Sequence, residues 1–195
     1  MLAKKLNTFD DLLVAWQTDE SLELVDGQIV SQALPRFAHS NVQSRIGGEY
    51  YSLQKRAGGE GGWWICTDIT VRYSDIQAPR HDLAGWRKER IPSPPTGVMT
   101  LAPDWVCEIV SPGHEKKDTL QMMLLLLAQQ VPYYWIVYPE DKTVIVHMLH
   151  EGRYVIMATE VVRDGSYSIT LPPFDDLAID LGAVFAGVSD GQNVT

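Results

Sequence analysis

The sequence predicts an α/β (α+β) fold in which helices flank a mixed β-sheet. Three observations predict it. Residues 105–110 and 133–138 are short runs rich in β-branched and aromatic residues, the signature of strands buried on both faces, and a helical segment separates them. A strand–helix–strand unit of this kind calls for a crossover that leaves its two strands parallel. Around it, Asp26-Gly27, residues 139–142 and Glu151-Gly152 punctuate apolar runs as hairpin turns do, so antiparallel strands are expected to flank the parallel pair. Finally, His39, Val42, Ile46, Tyr50 and Leu53 recur at three and four residues and define one face of a helix. One domain is expected over residues 1–186, with the small, polar residues 187–195 as a flexible tail.

In chain order, Thr8 is placed to cap a first helix, with Asp10 and Asp11 in its first turn and Leu12, Leu13, Val14 and Trp16 supplying apolar faces. Residues 22–25 and 28–30 form a hairpin about Asp26-Gly27, a pair that accepts the positive φ angles of a tight turn, and Pro35 ends the unit. Residues 38–56 read as a long helix, broken by the glycine-rich stretch 57–62. A strand or strand pair is expected over 63–73 and a short strand over 79–86, followed by a charged, proline-rich exposed loop over 87–97. After the strand at 105–110 come a loop over 111–117 and a helix over 118–130. Strands at 133–138, 143–149, 154–158, 160–162 and 168–171 and a short helix near 177–185 complete the chain.

The composition narrows the function classes. With 45% apolar and 21% charged residues the chain can build a full core. Its net charge of −9 argues against a protein that coats nucleic acid through a broad basic surface. It does not exclude a nuclease, because a metal ion can bring phosphate into a negative cleft. Cys66 and Cys107 both fall in expected strands and read as buried free thiols of a reducing, cytoplasmic compartment. No stretch approaches the ~20 apolar residues of a membrane span, and no secretory segment opens the chain.

One residue is out of place. Glu108 interrupts the apolar run Trp105-Val106-Cys107 and Ile109-Val110. An unpaired ionised carboxylate inside such a strand costs on the order of several kcal/mol, so a metal ion, a cationic side chain or an opening to water must hold it. Asp82, just after the proline-containing segment that opens the preceding strand, is a candidate partner. Two carboxylates on neighbouring strand ends can hold a hard divalent cation, Mg²⁺ or Mn²⁺, and the backbone carbonyl after the glutamate, here that of Ile109, is a usual further ligand in such sites.

These residues also carry a resemblance. Leu22-Glu23-Leu24-Val25-Asp26-Gly27, His39 opening the long helix, His81-Asp82-Leu83-Ala84-Gly85-Trp86-Arg87, Pro103-Asp104-Trp105-Val106-Cys107-Glu108-Ile109-Val110-Ser111-Pro112, Asp118 and Val131-Pro132-Tyr133-Tyr134-Trp135-Ile136-Val137 stand in this order. The pattern resembles a restriction-endonuclease family within the PD-(D/E)xK nuclease superfamily. The resemblance implies a restriction-endonuclease-like core, a Mg²⁺-type site at Asp82 and Glu108, and cleavage of phosphodiester bonds in DNA. The family's lysine lies on the helix after the Glu strand, four residues beyond its aspartate. Here that position is Met122, and the tyrosine position one turn later is Leu126.

Other residues are candidates for the same site. Glu23 is a third carboxylate that can approach it, Gln121 adjoins Met122, and Lys116 and Lys117 precede the helix. His39 is a site neighbour or a capping histidine. His81 and His114 are candidate nitrogen ligands that would favour a softer metal. Trp86 with Arg87, Lys88 and Arg90 reads either as a DNA-facing patch or as a core tryptophan with solvated charges, and Asp104 as a solvent-facing acid. The helix at 118–130 has almost no polar face, so either its own domain buries it on every side or a second subunit does. Two readings follow: a metal-dependent, homodimeric DNA endonuclease, or a degenerate nuclease fold that has lost its lysine and serves as a dimeric binding module.

Overall fold

Apolar alternation and turn chemistry produce most of the observed elements directly. The computed structural model of the protein describes residues 5–32, 34–55, 62–94, 96–111, 117–163 and 165–188, with the side chains of residues 117 and 118 outside that set. Lys116, His114 and the segment 189–195 therefore lie outside the described residues, as does most of the glycine cluster at 57–62.

Helix α1 (Phe9–Ala15) starts at a capping box in which Thr8 and Asp11 satisfy each other's backbone amides. Strands β1 (Leu22–Val25) and β2 (Gln28–Ser31) form the expected hairpin, and its turn residues Asp26 and Gly27 have φ of 49° and 67°. Helix α2 (Phe37–Glu49) is shorter than the expected 38–56. Tyr50 leaves the α-helical region at φ −90°, ψ 2°, and α3 (Tyr51–Lys55) resumes beyond it. The predicted stripe holds across this break: Val42, Ile46, Tyr50 and Leu53 are all fully buried.

The central sheet has six strands in the order β3 (Trp63–Thr70), β4 (Arg80–Arg87), β5 (Trp105–Ile109), β6 (Tyr133–Tyr138), β7 (Thr143–His150), β8 (Arg153–Val161). Only β5 and β6 are parallel; the other neighbours are antiparallel. The parallel pair is the predicted one. Every residue of β5 is buried. The expected separate strand at 160–162 is instead the end of β8, which runs on through a register shift opposite Val146 and His147. The region near 177–185 divides into β10 (Ala178–Asp180), paired with β9 (Ser168–Thr170), and the short α5 (Leu181–Val184).

Two cores lie on the two faces of the sheet. Trp105, Cys107 and Ile109 of β5 pack with Val42 and Ile46 of α2 and with an aromatic group of Tyr50, Trp63, Trp135 and Phe174. Val106 and Val110 pack on the other face with Met122 and Leu126. The crossover helix on that face begins as a π-helical turn (Lys117–Gln121) and becomes α4 at Met122–Ala128. It is not buried on every side: Leu120 is 49% and Leu124 58% exposed. Among the described residues no helix is long and apolar enough to cross a membrane.

Candidate metal centre

The site forms where the sheet opens. β4 and β5 pair only at Gly85–Trp105, Ala84–Val106 and Leu83–Cys107. Beyond Leu83, β4 stays with β3 as far as Arg80, while β5 stays with β6 as far as Ile109. The strands part like a fork, and backbone amides at the fork lose their ladder acceptors. Asp82 and Glu108 are the residues at that point. The Ile109 amide donates to Asp82 Oδ2 at 2.7 Å, and the Asp82 amide lies 3.4 Å from Glu108 Oε2. Each carboxylate thus replaces a missing carbonyl on the opposite strand, which is why two acids can sit 5% and 4% exposed in a sheet. Gly85 tightens the closed end: a Cβ there would stand 3.1 Å from the Trp105 ring and 3.2 Å from Trp63.

Different elements complete each acid. His39, at the start of α2, places Nε2 3.1 Å from Asp82 Oδ2. One turn on, Gln43 donates from Nε2 to the Asp82 carbonyl at 2.9 Å and to Asp68 Oδ1 at 3.0 Å. Glu108 is held by His81, whose Nδ1 lies 2.6 Å from Oε1, and the far nitrogen Nε2 lies 2.8 Å from the Tyr73 hydroxyl. Burial and the Glu108 charge push the Tyr73 phenol well above its ordinary range. The hydroxyl therefore stays protonated, and where it donates to Nε2 the proton on His81 Nδ1 faces Glu108. Burial, reinforced by the charges of Asp82 and Glu108, raises the Cys107 thiol well above its ordinary value. Cys107 is consequently an inert core residue and no nucleophile.

The other expected residues fall as follows. Glu23 is fully buried and accepts the Arg80 amide at 3.1 Å, so the β1–β2 hairpin carries it to the start of β4, two residues before Asp82. A two-way bridge between Leu24 and Ala78 pins the hairpin there. Gln121 lines, with Glu23, a neighbouring cavity of about 310 Å³. Lys117 and Asp118 belong to the π-helical turn, which shifts the register ahead of α4, and their side chains are outside the described residues. Met122 is 2% exposed, a member of the second core alongside Val106 and Val110. Trp86 is 1% exposed and its indole donates to Leu101, the core alternative. The basic residues beside it are engaged: Arg87 lies over Trp63, Lys88 over Trp64, and Arg90 pairs with Asp104 at 2.7 Å. Asp104 is 6% exposed and also accepts the Arg87 amide, which corrects its assignment to solvent: it closes the loop after β4.

Three residues of the network carried no sequence signal. Gln43 lies beside the predicted stripe, next to Val42, and reads as an ordinary polar helix residue. Asp68 and Tyr73 lie in or beside β3. Asp68 stands across from Asp82 in the strand register and has φ of 49°, an uncommon backbone state for a residue inside a strand.

The donor chemistry fits a hard divalent cation: two buried carboxylates within one hydrogen-bond network and the Ile109 carbonyl at the same strand end. Among the described residues no three His, Cys, Asp or Glu side chains are already gathered as a coordination shell, so such an ion would complete its shell with backbone oxygen and water.

A mixed sheet flanked by helices, with acids where a central pair of strands diverges, is a nuclease-like architecture. The chain belongs to the Uma2 family, described as putative restriction endonucleases, whose match spans residues 6–182. Among solved structures it is similar in fold to a putative nuclease belonging to DUF820 from Anabaena variabilis ATCC 29413, with a TM-score of 0.72 and 22% identity over 91% of this chain and 97% of that one. No curated protein matches it.

Proposed function

We propose that the protein is a metal-dependent endonuclease acting on DNA, with Asp82, Glu108 and the Ile109 carbonyl as ligands of Mg²⁺ or Mn²⁺. The observation that carries this reading is the fork itself. Two buried carboxylates occupy a strand end where valine or leucine would be more stable, and the family to which the chain belongs is described as nucleases. When bound, the cation would polarise a phosphoryl oxygen and lower the pKa of a water molecule. The chain's own residues do the rest. His81, backed by Tyr73, orients Glu108. Gln43 and the Ile109 amide fix Asp82. His39, at hydrogen-bond distance from Asp82, is the side chain placed to move a proton at the reacting water, the task for which Met122 offers no amine. Glu23 and Gln121 border the approach from the hairpin side. A second copy of the chain would cover the exposed leucines 120 and 124 and give a homodimer.

A second reading, a nuclease fold that binds without cutting, is favoured by one observation: the position of the family's lysine is filled by a buried thioether. Calorimetric titration with Mg²⁺ and Mn²⁺, on the wild type and on Glu108→Gln, with plasmid nicking alongside, separates the two. Binding heat that Glu108→Gln removes, together with nicking, supports the endonuclease. Heat without nicking supports the second reading, and absence of heat in the wild type removes the metal site.

A further inference from the structure

Beside the fork, a polar groove of about 500 Å³ runs between α2–α3 and the edge strand β3. Its helical wall is a stripe of Ser40, Gln43, Ser44, Gly47, Gly48 and Tyr51, at the three- and four-residue intervals of one face. Thr67 and Asp68 of β3 line the opposite side. Gln43 joins the groove to the fork, since the amide that lines the groove also holds the Asp82 carbonyl. At the far end Tyr51 is 55% exposed, belongs to neither core of the sheet, and has the Lys55 ammonium 4.9 Å from its ring centre. From His39 to Glu49 the helix rises about 15 Å, so the groove runs from Gln43, which meets the fork at the Asp82 carbonyl, to an exposed aromatic over the length of a short oligonucleotide.

We infer that this groove takes a single strand of nucleic acid, with one base stacked on Tyr51 and the backbone running along the Ser40–Gly48 stripe towards Asp82 and Glu108. A stacking platform needs an unpaired base, and hydroxyl and amide groups suit sugar and phosphate contacts without reading sequence. The alternative of a duplex held on a basic face finds little support here: the net charge is −9, and Arg87, Lys88 and Arg90 are engaged within the protein. Stacking supplies what charge does not. The inference rests on the nucleic-acid reading of the fork.

The test is fluorescence anisotropy in EDTA, where no cleavage occurs, with a labelled oligo-deoxythymidine and a mixed-sequence duplex of equal length. The wild type is expected to bind the single strand about tenfold more tightly than the duplex, and Tyr51→Ala to weaken single-strand binding about tenfold while leaving the duplex unchanged. Gly48→Glu tests the groove without disturbing the fold, because a Cβ there meets nothing within 4 Å. It is expected to weaken the single strand to a similar degree, whereas Ser52→Glu, the same charge change on an exposed residue outside the groove, leaves it unaltered. With Lys55 as the cation beside the stacked base, the salt dependence should be shallow, with a log–log slope of about −0.7. Equal affinity for duplex and single strand, or wild-type binding by Gly48→Glu, overturns the groove. Groove-dependent binding by a protein that never nicks leaves the groove standing and removes the catalytic reading. Nicking with groove-independent binding does the reverse.

Discussion

Helices α2 and α4 pack on opposite faces of the same strand, β5, and bring opposite chemistry to it. From α2, Val42 and Ile46 enter the aromatic core, while His39 and Gln43 of the same helix reach Asp82. From α4, Met122 and Leu126 enter the second core beside Val106 and Val110, on the face to which Glu108 also belongs by alternation. Glu108 is therefore served by β4, through His81, and not by the helix that follows it. The polar work of the site is concentrated on α2 and β4, and α4 has become a seal. On the proposed endonuclease reading, a wall without an amine need not end the chemistry if the other wall carries a group that can exchange protons.

The largest effect expected of this comparison is at the acids. Asp82→Asn is expected to lower nicking by at least about 10³-fold, because it removes a carboxylate ligand of the cation that would stabilise the developing charge. Glu108→Ala should do the same and also cost about 1–3 kcal/mol in urea unfolding, since His81 is left buried facing a void. Activity that survives Asp82→Asn would break the comparison at its root. Next in size, His39→Ala is expected to slow nicking about 10²-fold with little change in metal affinity. Met122→Lys placed on top of it should return about tenfold, since the new ammonium enters on the Glu108 face. An inert His39→Ala would mean that α2 does not supply the missing group.

The outer face of α4 gives a smaller effect. Leu124→Glu, at a position 58% exposed, should leave the unfolding midpoint of the monomer unchanged while weakening self-association by about tenfold in sedimentation, and identical sedimentation would remove the dimer. The smallest concerns His147, buried between Tyr134 and Tyr154 in the second core. Burial lowers its pKa below the ordinary 6.5. The folded state then binds fewer protons than the unfolded one just below that value, so stability is full above pH 6.5 and declines as pH falls towards the lowered folded value. His147→Gln should flatten this part of the pH–stability curve.

Much of this was readable from residues alone. The capping box at Thr8, the Asp26-Gly27 hairpin and the parallel pair of β5 and β6 depend on local spacing, and local spacing is written in the chain. The break at Tyr50 and the π-helical turn before α4 were not readable, because both are small adjustments of helical register with no change of periodicity large enough to see. Trp86 and Asp104 show the limit for single side chains. Each is compatible with core or surface until the loop after β4 closes over them through the Leu101 carbonyl and Arg90.

The sequence by itself determined that Glu108 would stand in an apolar strand and need a metal ion, a cationic side chain or an opening to water to hold its charge; that it is buried is a tertiary finding. It also determined that α4 would lack an amine. Only the tertiary structure decided which groups answer Glu108 and Asp82. That choice follows from where β4 and β5 stop pairing and from how α2 lies over their ends, and both are set by contacts between residues far apart in the chain. Periodicity records which face a residue takes, but not which distant residue it will meet there.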